Sequence, residues 1–250
     1  MLGLPDGVTA CLFDMDGVLT RTATVHAAAW KEMFDEFLRE REGPSFRPFD
    51  QVKEYDEYVD GKRREDGTRS FLESRGITLP EGSPDDPPGA PTIEGLGRRK
   101  NEIVLRRLAE DGVDVYPGSV DYVRAARAAG LATAVVSSSA NTAQVLDAAR
   151  IADLFDARID GLTAKERNLA GKPAPDMFLA GAEALGTPPS QAVVFEDALA
   201  GVAAGRAGGF GCVVGVDRIG QGAALREHGA SVVVRDLSEL LDRDGEGKRA

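Results

Sequence analysis

The stretch CLFDMDGVLT, residues 11–20, ends a run of apolar residues with two acids one position apart, Asp14 and Asp16. Residues two apart on an extended chain project to the same side, so both carboxylates can address one small volume at a strand end and the turn beyond it. A carboxylate can attack phosphorus and form an aspartyl-phosphate, splitting one hard displacement into two easier ones. Its neighbour can protonate the leaving oxygen and deprotonate the acceptor. Phosphate-monoester cleavage demands accelerations that approach about 10²¹, and most of that must come from positioned charge.

Three later stretches could supply that charge: Ser137-Ser138-Ser139, Gly171-Lys172-Pro173 and Glu196-Asp197. Lys172 and Ser137 can neutralise or donate to the transferring oxygens, and Pro173 biases the lysine toward extended backbone, away from the following helix. Each acid alone could be a helix N-cap, Asp197 most readily. Asp14, Asp16, Glu196 and Asp197 brought together would repel one another unless a cation lies among them. A set of oxygen ligands suits magnesium, which keeps waters and shares phosphate oxygens.

Positioning these groups requires a particular scaffold. From Tyr116 onward the sequence alternates helix and strand: a helix Pro117–Gly130, a strand Thr133–Val136, a helix Thr142–Ala149, a short strand Ala157–Asp160, a helix Asp176–Leu185, a strand Ala192–Phe195, a helix Leu199–Ala207, and strands Cys212–Val216 and Ser231–Val234. With Val8–Phe13 as the first strand, such β-branched runs imply a parallel sheet covered on both faces. The expected fold class is α/β, a doubly wound parallel-sheet (Rossmann-like) core with an inserted α-helical cap domain. In such sheets ligands bind beyond the carboxyl ends of the strands, where the acids and the serines fall.

Residues 24–110 are expected to form the cap and residues 1–23 and 111–250 the core. An amphipathic helix from Val25 carries Trp30, Met33, Phe34, Phe37 and Leu38 on one stripe and runs out near Gly43 and Pro44. Helical segments are expected over Phe49–Val59 and Arg64–Arg75, then a mobile, proline-rich loop Leu79–Gly97, then a helix Arg98–Glu110. The polar tail after Leu241 is expected to fray.

The 250 residues carry a net charge of −11, which disfavours nucleic acid and anionic membranes as partners. The start, MLGLPDG, has no apolar h-region, and no apolar run is long enough to span a bilayer. The two cysteines, Cys11 and Cys212, lie in apolar stretches, as core thiols in a reducing compartment do. A cytoplasmic protein, expected to be a monomer, follows from these readings.

FDMDGVLT, the serine after the VV of the second strand, GKPAPDMF and VVFEDALAG occur in the order of the four motifs of the haloacid dehalogenase superfamily, and the chain resembles that family across the whole core. The insert after the first motif resembles the helical cap of the subgroup that contains the beta-phosphoglucomutases. The resemblance implies Asp14 as nucleophile, Asp16 as acid/base, and a magnesium ion held by Asp14, the Asp16 carbonyl, Glu196 and Asp197. It implies catalytic support from Ser137, Lys172, Thr22 and His26, and substrate binding by Arg64, Lys100, Trp30, Ser138, Ser139 and Asn141.

On the residues alone, His26 shares a helical face with Trp30, Met33 and Phe37, as a hydrogen-bonded core histidine would. Lys100 lies on the stripe of Val104 and Leu108 and could snorkel from it. Arg64, with no evident acidic partner, has a solvated helix start as its lesser alternative. Ala140 stands where that subgroup carries a lysine and Arg21 where it carries an acid, so the sugar is less defined than the reaction. The implied activity is magnesium-dependent isomerisation of a sugar phosphate, beta-glucose 1-phosphate to glucose 6-phosphate, through an aspartyl-phosphate. The alternative is a sugar-phosphate phosphatase with the same core. A phosphosugar sensor without turnover ranks below both, because every reacting group is present.

Overall fold

The computed structural model describes residues 2–242, so the tail beyond Asp242, expected to fray, lies outside the described residues. The chain divides into two compact units, Met1–Arg21 with Asp114–Ala250, and Thr22–Val113.

In the first unit, β1 (Ala10–Phe13) is followed, after the excursion into the second unit, by α4 (Pro117–Ala128), β2 (Ala132–Val136), α5 (Thr142–Ala148), β3 (Ala157–Ile159), α6 (Gly161–Glu166) and α7 (Asp176–Ala184). Then come β4 (Ala192–Glu196), α8 (Leu199–Ala207), β5 (Cys212–Val216), α9 (Gly222–His228), β6 (Val232–Val234) and α10 (Ser238–Asp242); α1 (Ala23–Glu42), α2 (Arg64–Ser74) and α3 (Ile93–Asp111) belong to the second unit. The strands form one parallel sheet in the order β3-β2-β1-β4-β5-β6. This is a Rossmann-like α/β core with an inserted helical cap.

Strand order reverses beside β1, where β2 leads one way and β4 the other, which is where open parallel sheets bind ligands. The register pairs Phe13 with Val135 on one side and Phe195 on the other, so β1, β2 and β4 end level. Every residue of β1 and β4 is buried. Phe13 stacks on Phe195 with ring centroids 4.5 Å apart, and Tyr122 meets both rings edge-on. Burial of each such side chain contributes about 1.5–3 kcal/mol, so the strand ends that carry the acids rest on a buried aromatic cluster.

Three short helices, α6, α9 and α10, were not expected from the sequence. GLTAKE and GAALREH offer too few apolar residues to show a period, and α6 is fixed instead by Asp160, whose carboxylate accepts from the Thr163 N–H at 2.8 Å.

In the second unit α1 buries Trp30, Met33, Phe34, Phe37 and Leu38, and Phe34 packs on Trp30, Phe49 and Phe71. The segment expected as a helix over Phe49–Val59 starts with a turn capped by Asp50, whose carboxylate accepts from the Val52 and Lys53 N–H groups, and continues as a π-helical stretch, Tyr55–Val59, where the Tyr55 and Asp60 N–H groups reach back five residues to the Asp50 and Tyr55 carbonyls. The helix expected from Arg98 begins five residues earlier, at Ile93. Thr92 caps it by accepting from the Gly95 N–H. Gly95, which reads as loop, is needed where it stands, since a Cβ there would lie 2.6 Å from the Ala90 carbonyl oxygen, while Gly97 packs against the Arg64 side chain, whose Nε would lie 3.2 Å from an added Cβ. The proline-rich segment is correspondingly shorter, and Asp86 ties it together by accepting from Thr92 Oγ1 and the Ser83 N–H.

Candidate active site

Asp14 directly follows β1, and its N–H continues the sheet by donating to the Phe195 carbonyl at 2.9 Å. The chain then turns tightly. Gly17 donates to the Thr20 carbonyl, and Leu19 and Thr20 both donate to the Met15 carbonyl. Gly17 has φ of +86°, a conformation that glycine adopts without steric cost.

Lys172, between α6 and α7, is 2% exposed, and its peptide bond to Pro173 is cis. Its ammonium donates to Asp14 Oδ1 at 2.5 Å and to Glu196 Oε1 at 2.6 Å, and it lies 4.9 Å from the centre of the Phe178 ring. The other Glu196 oxygen accepts from the Ala198 N–H at 2.8 Å. Burial pushes the Asp14 carboxyl well above the usual carboxylate range, against the pull of Lys172, and Glu196 and Asp16 push it further. Burial acts to lower the lysine, but the charges of Asp14 and Glu196 outweigh it and hold the ammonium above its ordinary value. Lys172 therefore stays charged.

Asp14, Glu196 and Asp197 each present an oxygen within 4.8 Å of the others. One ammonium among three carboxylates leaves two negative charges, which is what a divalent cation balances. Hard oxygen donors and a cluster that burial makes costly to ionise both fit magnesium. The cluster thus has the composition of a magnesium site.

Ser137 follows β2, and its hydroxyl lies 3.4 Å from Asp16 Oδ2 while accepting from the Ser139 N–H at 3.1 Å. Ser139 Oγ accepts from the Asn141 N–H, and the Ser139 carbonyl accepts from Thr142 Oγ1 and the Gly161 N–H. Ser138, Ser139 and Asn141 thus belong to one braced loop beyond β2. Asp14, Lys172, Glu196 and Asp197 come together in one cluster, with Asp16 and Ser137 paired beside them.

The remaining candidates lie in the second unit. Thr22 precedes α1 and its carbonyl accepts from the His26 N–H. Lys100, 6% exposed, places its ammonium 2.6 Å from His26 Nδ1 and 4.8 Å from the Trp30 ring centre. The two side chains share one short hydrogen bond. Lys100 does not snorkel outward. Arg64 opens α2 and, contrary to the expectation of no acidic partner, pairs with its sequence neighbour Glu65 at 3.2 Å.

Two glycines were not singled out from the sequence. A Cβ at Gly17 would lie 1.7 Å from Asp197 Oδ2, and one at Gly201 would lie 1.6 Å from Glu196 Oε1. A glycine within the same short motif as each acid was the available signal.

A sequence profile of haloacid dehalogenase-like hydrolases matches residues 8–209. A beta-phosphoglucomutase of Mycobacterium tuberculosis is 58% identical over 247 residues, covering 96% of this chain and 94% of its own length. The Bacillus subtilis beta-phosphoglucomutase is 30% identical over 234 residues, covering 92% and 91%. The crystal structure of a beta-phosphoglucomutase from Clostridium difficile superposes with a TM-score of 0.76 at 25% identity, covering 96% of both chains. Similarity of this depth, running through the strand ends just described, makes the chain a member of the haloacid dehalogenase superfamily closely related to the beta-phosphoglucomutases.

Proposed function

We propose that the protein isomerises beta-glucose 1-phosphate to glucose 6-phosphate by magnesium-dependent phosphoryl transfer through Asp14. The observation that carries this reading is the buried Asp14–Lys172–Glu196 arrangement with Asp197 beside it, in a chain 58% identical to a beta-phosphoglucomutase over nearly its whole length.

In this reading an Asp14 oxygen bonds to phosphorus as the bond from phosphorus to the sugar oxygen breaks, and Asp16 gives that oxygen its proton. With the enzyme so phosphorylated by beta-glucose 1,6-bisphosphate, Asp16 takes the proton of the 6-hydroxyl of beta-glucose 1-phosphate, whose oxygen bonds to the phosphorus of phospho-Asp14 as the bond to Asp14 breaks and frees the carboxylate. The bisphosphate formed surrenders its other phosphoryl group to Asp14, so product leaves and the phosphoenzyme is regenerated. Lys172 pulls Asp14 toward its ionised form against the burial that raises it and lies beside the transferring oxygens, to which Ser137 also donates. Magnesium held by Asp14, the Asp16 carbonyl, Glu196 and Asp197 would supply charge neutralisation between nucleophile and phosphate.

The second unit, residues 22–113, is assigned the role of cap. Thr22 and His26 support the transfer; Trp30, Arg64 and Lys100 bind the sugar phosphate, and Ser138, Ser139 and Asn141 hold the phosphate that is not being transferred. Good alignment can give a bound hydroxyl an effective molarity of about 10⁵ M or more, enough to outcompete water if water is excluded. Among the described residues no helix is long and apolar enough to cross a membrane. We assign the protein to the cytoplasm as a monomer on its acidic charge and its two buried, unpaired cysteines.

The test supplies magnesium, beta-glucose 1-phosphate and a trace of beta-glucose 1,6-bisphosphate and follows glucose 6-phosphate and free phosphate together. Conversion with little phosphate is expected. Phosphate as the main product would replace the mutase with the phosphatase.

A further inference from the structure

The loop between β5 and α9 reaches both arms of the acidic cluster. Arg218 donates from Nε to the Gly17 carbonyl at 2.9 Å and from Nη2 to the Val18 carbonyl at 3.3 Å and Ser119 Oγ at 3.2 Å. Its Nη1 donates to the Arg235 carbonyl at 2.7 Å and to Asp236 at 3.0 Å. All five N–H donors of the guanidinium are used, and its carbon lies 3.5 Å from the centre of the Tyr116 ring. Three residues on, Gln221 Nε2 donates to the Asp197 carbonyl at 3.1 Å.

The loop is itself fixed. Asp217 accepts from the N–H groups of Gly220 and Gln221, both at 2.7 Å, and from Gly222 at 3.1 Å. A turn of set shape thus grips the backbone after Asp16 with one side chain and the backbone of Asp197 with another. Those two backbones meet where Gly17 leaves room for the Asp197 carboxylate.

We propose that Arg218 and Gln221 are positioning residues that hold the β1 and β4 loops at the spacing the cation requires. The proposal rests on the magnesium-dependent reading above. Neither residue touches the reacting atoms; each acts through carbonyl groups of the two loops. Lysine cannot replace Arg218, because an ammonium has neither the planar fork for two adjacent carbonyls nor the face to stack on Tyr116.

Outer-sphere partners of metal ligands commonly change affinity by about 10–100-fold when removed. The test is direct Mn²⁺ binding to the full chain without substrate, read from the electron paramagnetic resonance of the free ion, alongside thermal melting without metal. Gln221→Met and Arg218→Lys are each expected to weaken binding about 10-fold or more. Gln221→Met is expected to melt with the wild type.

Because Arg218→Lys also loosens packing, Gln221→Met decides. Wild-type Mn²⁺ affinity in that variant overturns the proposal, and so does a metal-free melt lowered in step with the affinity, which would make the glutamine a support of the fold alone. A wild-type protein that takes up no Mn²⁺ overturns the magnesium reading and this inference with it, a failure distinct from the first two.

Discussion

Lys172 stands between two buried carboxylates, and Glu196 is fixed on its other side by the Ala198 N–H. The direction in which Glu196 points is set as much by what is missing next to it as by these bonds. A Cβ on Gly201 would lie 1.6 Å from Glu196 Oε1. Gly201 lies in α8, where alanine would ordinarily stabilise a helix by about 1 kcal/mol. The clash must move the carboxylate or the helix, so sterics decide the sign. Gly201→Ala is expected to lower kcat about 10²-fold, the scale of losing one positioned charge at a reacting centre, measured at saturating substrate and magnesium. Wild-type kcat would show that Glu196 can turn away without cost. The acids, the lysine and the serine were legible because their chemistry is unusual in a strand end, whereas the need for glycine follows from distances that no spacing rule carries.

Elements differ in how far the sequence revealed them. The strands were legible because short, mostly apolar runs rich in valine between turn residues pack well as buried strands, and their parallel pairing followed from the alternation with helices. The early start of α3 was hidden, since its two glycines look like loop until Ala90 and Arg64 are packed against them. The turn before the π-helical stretch was hidden for a related reason: side chains there replace backbone partners. Glu54 is the clearest case, accepting from Arg75, Arg47 and the Asp50 N–H. Burial acts to raise its carboxyl, but those donors prevail and hold it below the ordinary range. A carboxyl depressed in the folded state stabilises above its unfolded value, near 4.3 for glutamate, and the contribution fades as pH falls through the folded value. Glu54→Gln is therefore expected to cost about 1.5–3 kcal/mol at pH 7, measured by urea unfolding, with the gap to wild type narrowing below about pH 4. A gap independent of pH would mean that packing, and not charge, is what Glu54 contributes.

At the scale of the molecule, a chain with a net charge of −11 handles an anionic substrate, so attraction must be local. Lys172 and the cation held by Asp14, Glu196 and Asp197 provide it within the core unit, and Arg64 and Lys100 are the assigned counterparts in the cap. The brace from Arg218 and Gln221 was illegible in the sequence, because side chains that bind backbone carbonyls of distant loops leave no pattern of type or spacing. In the proposed reaction Asp14 itself carries the phosphoryl group between two positions of one sugar. The direct measurement is acid quenching of the enzyme during turnover with magnesium and beta-glucose 1,6-bisphosphate labelled in its phosphates, followed by peptide mapping. Label is expected as a hydroxylamine-sensitive acyl phosphate on the peptide containing Asp14, and none on Asp14→Asn. Turnover with the label elsewhere, or undiminished turnover by Asp14→Asn, would contradict it.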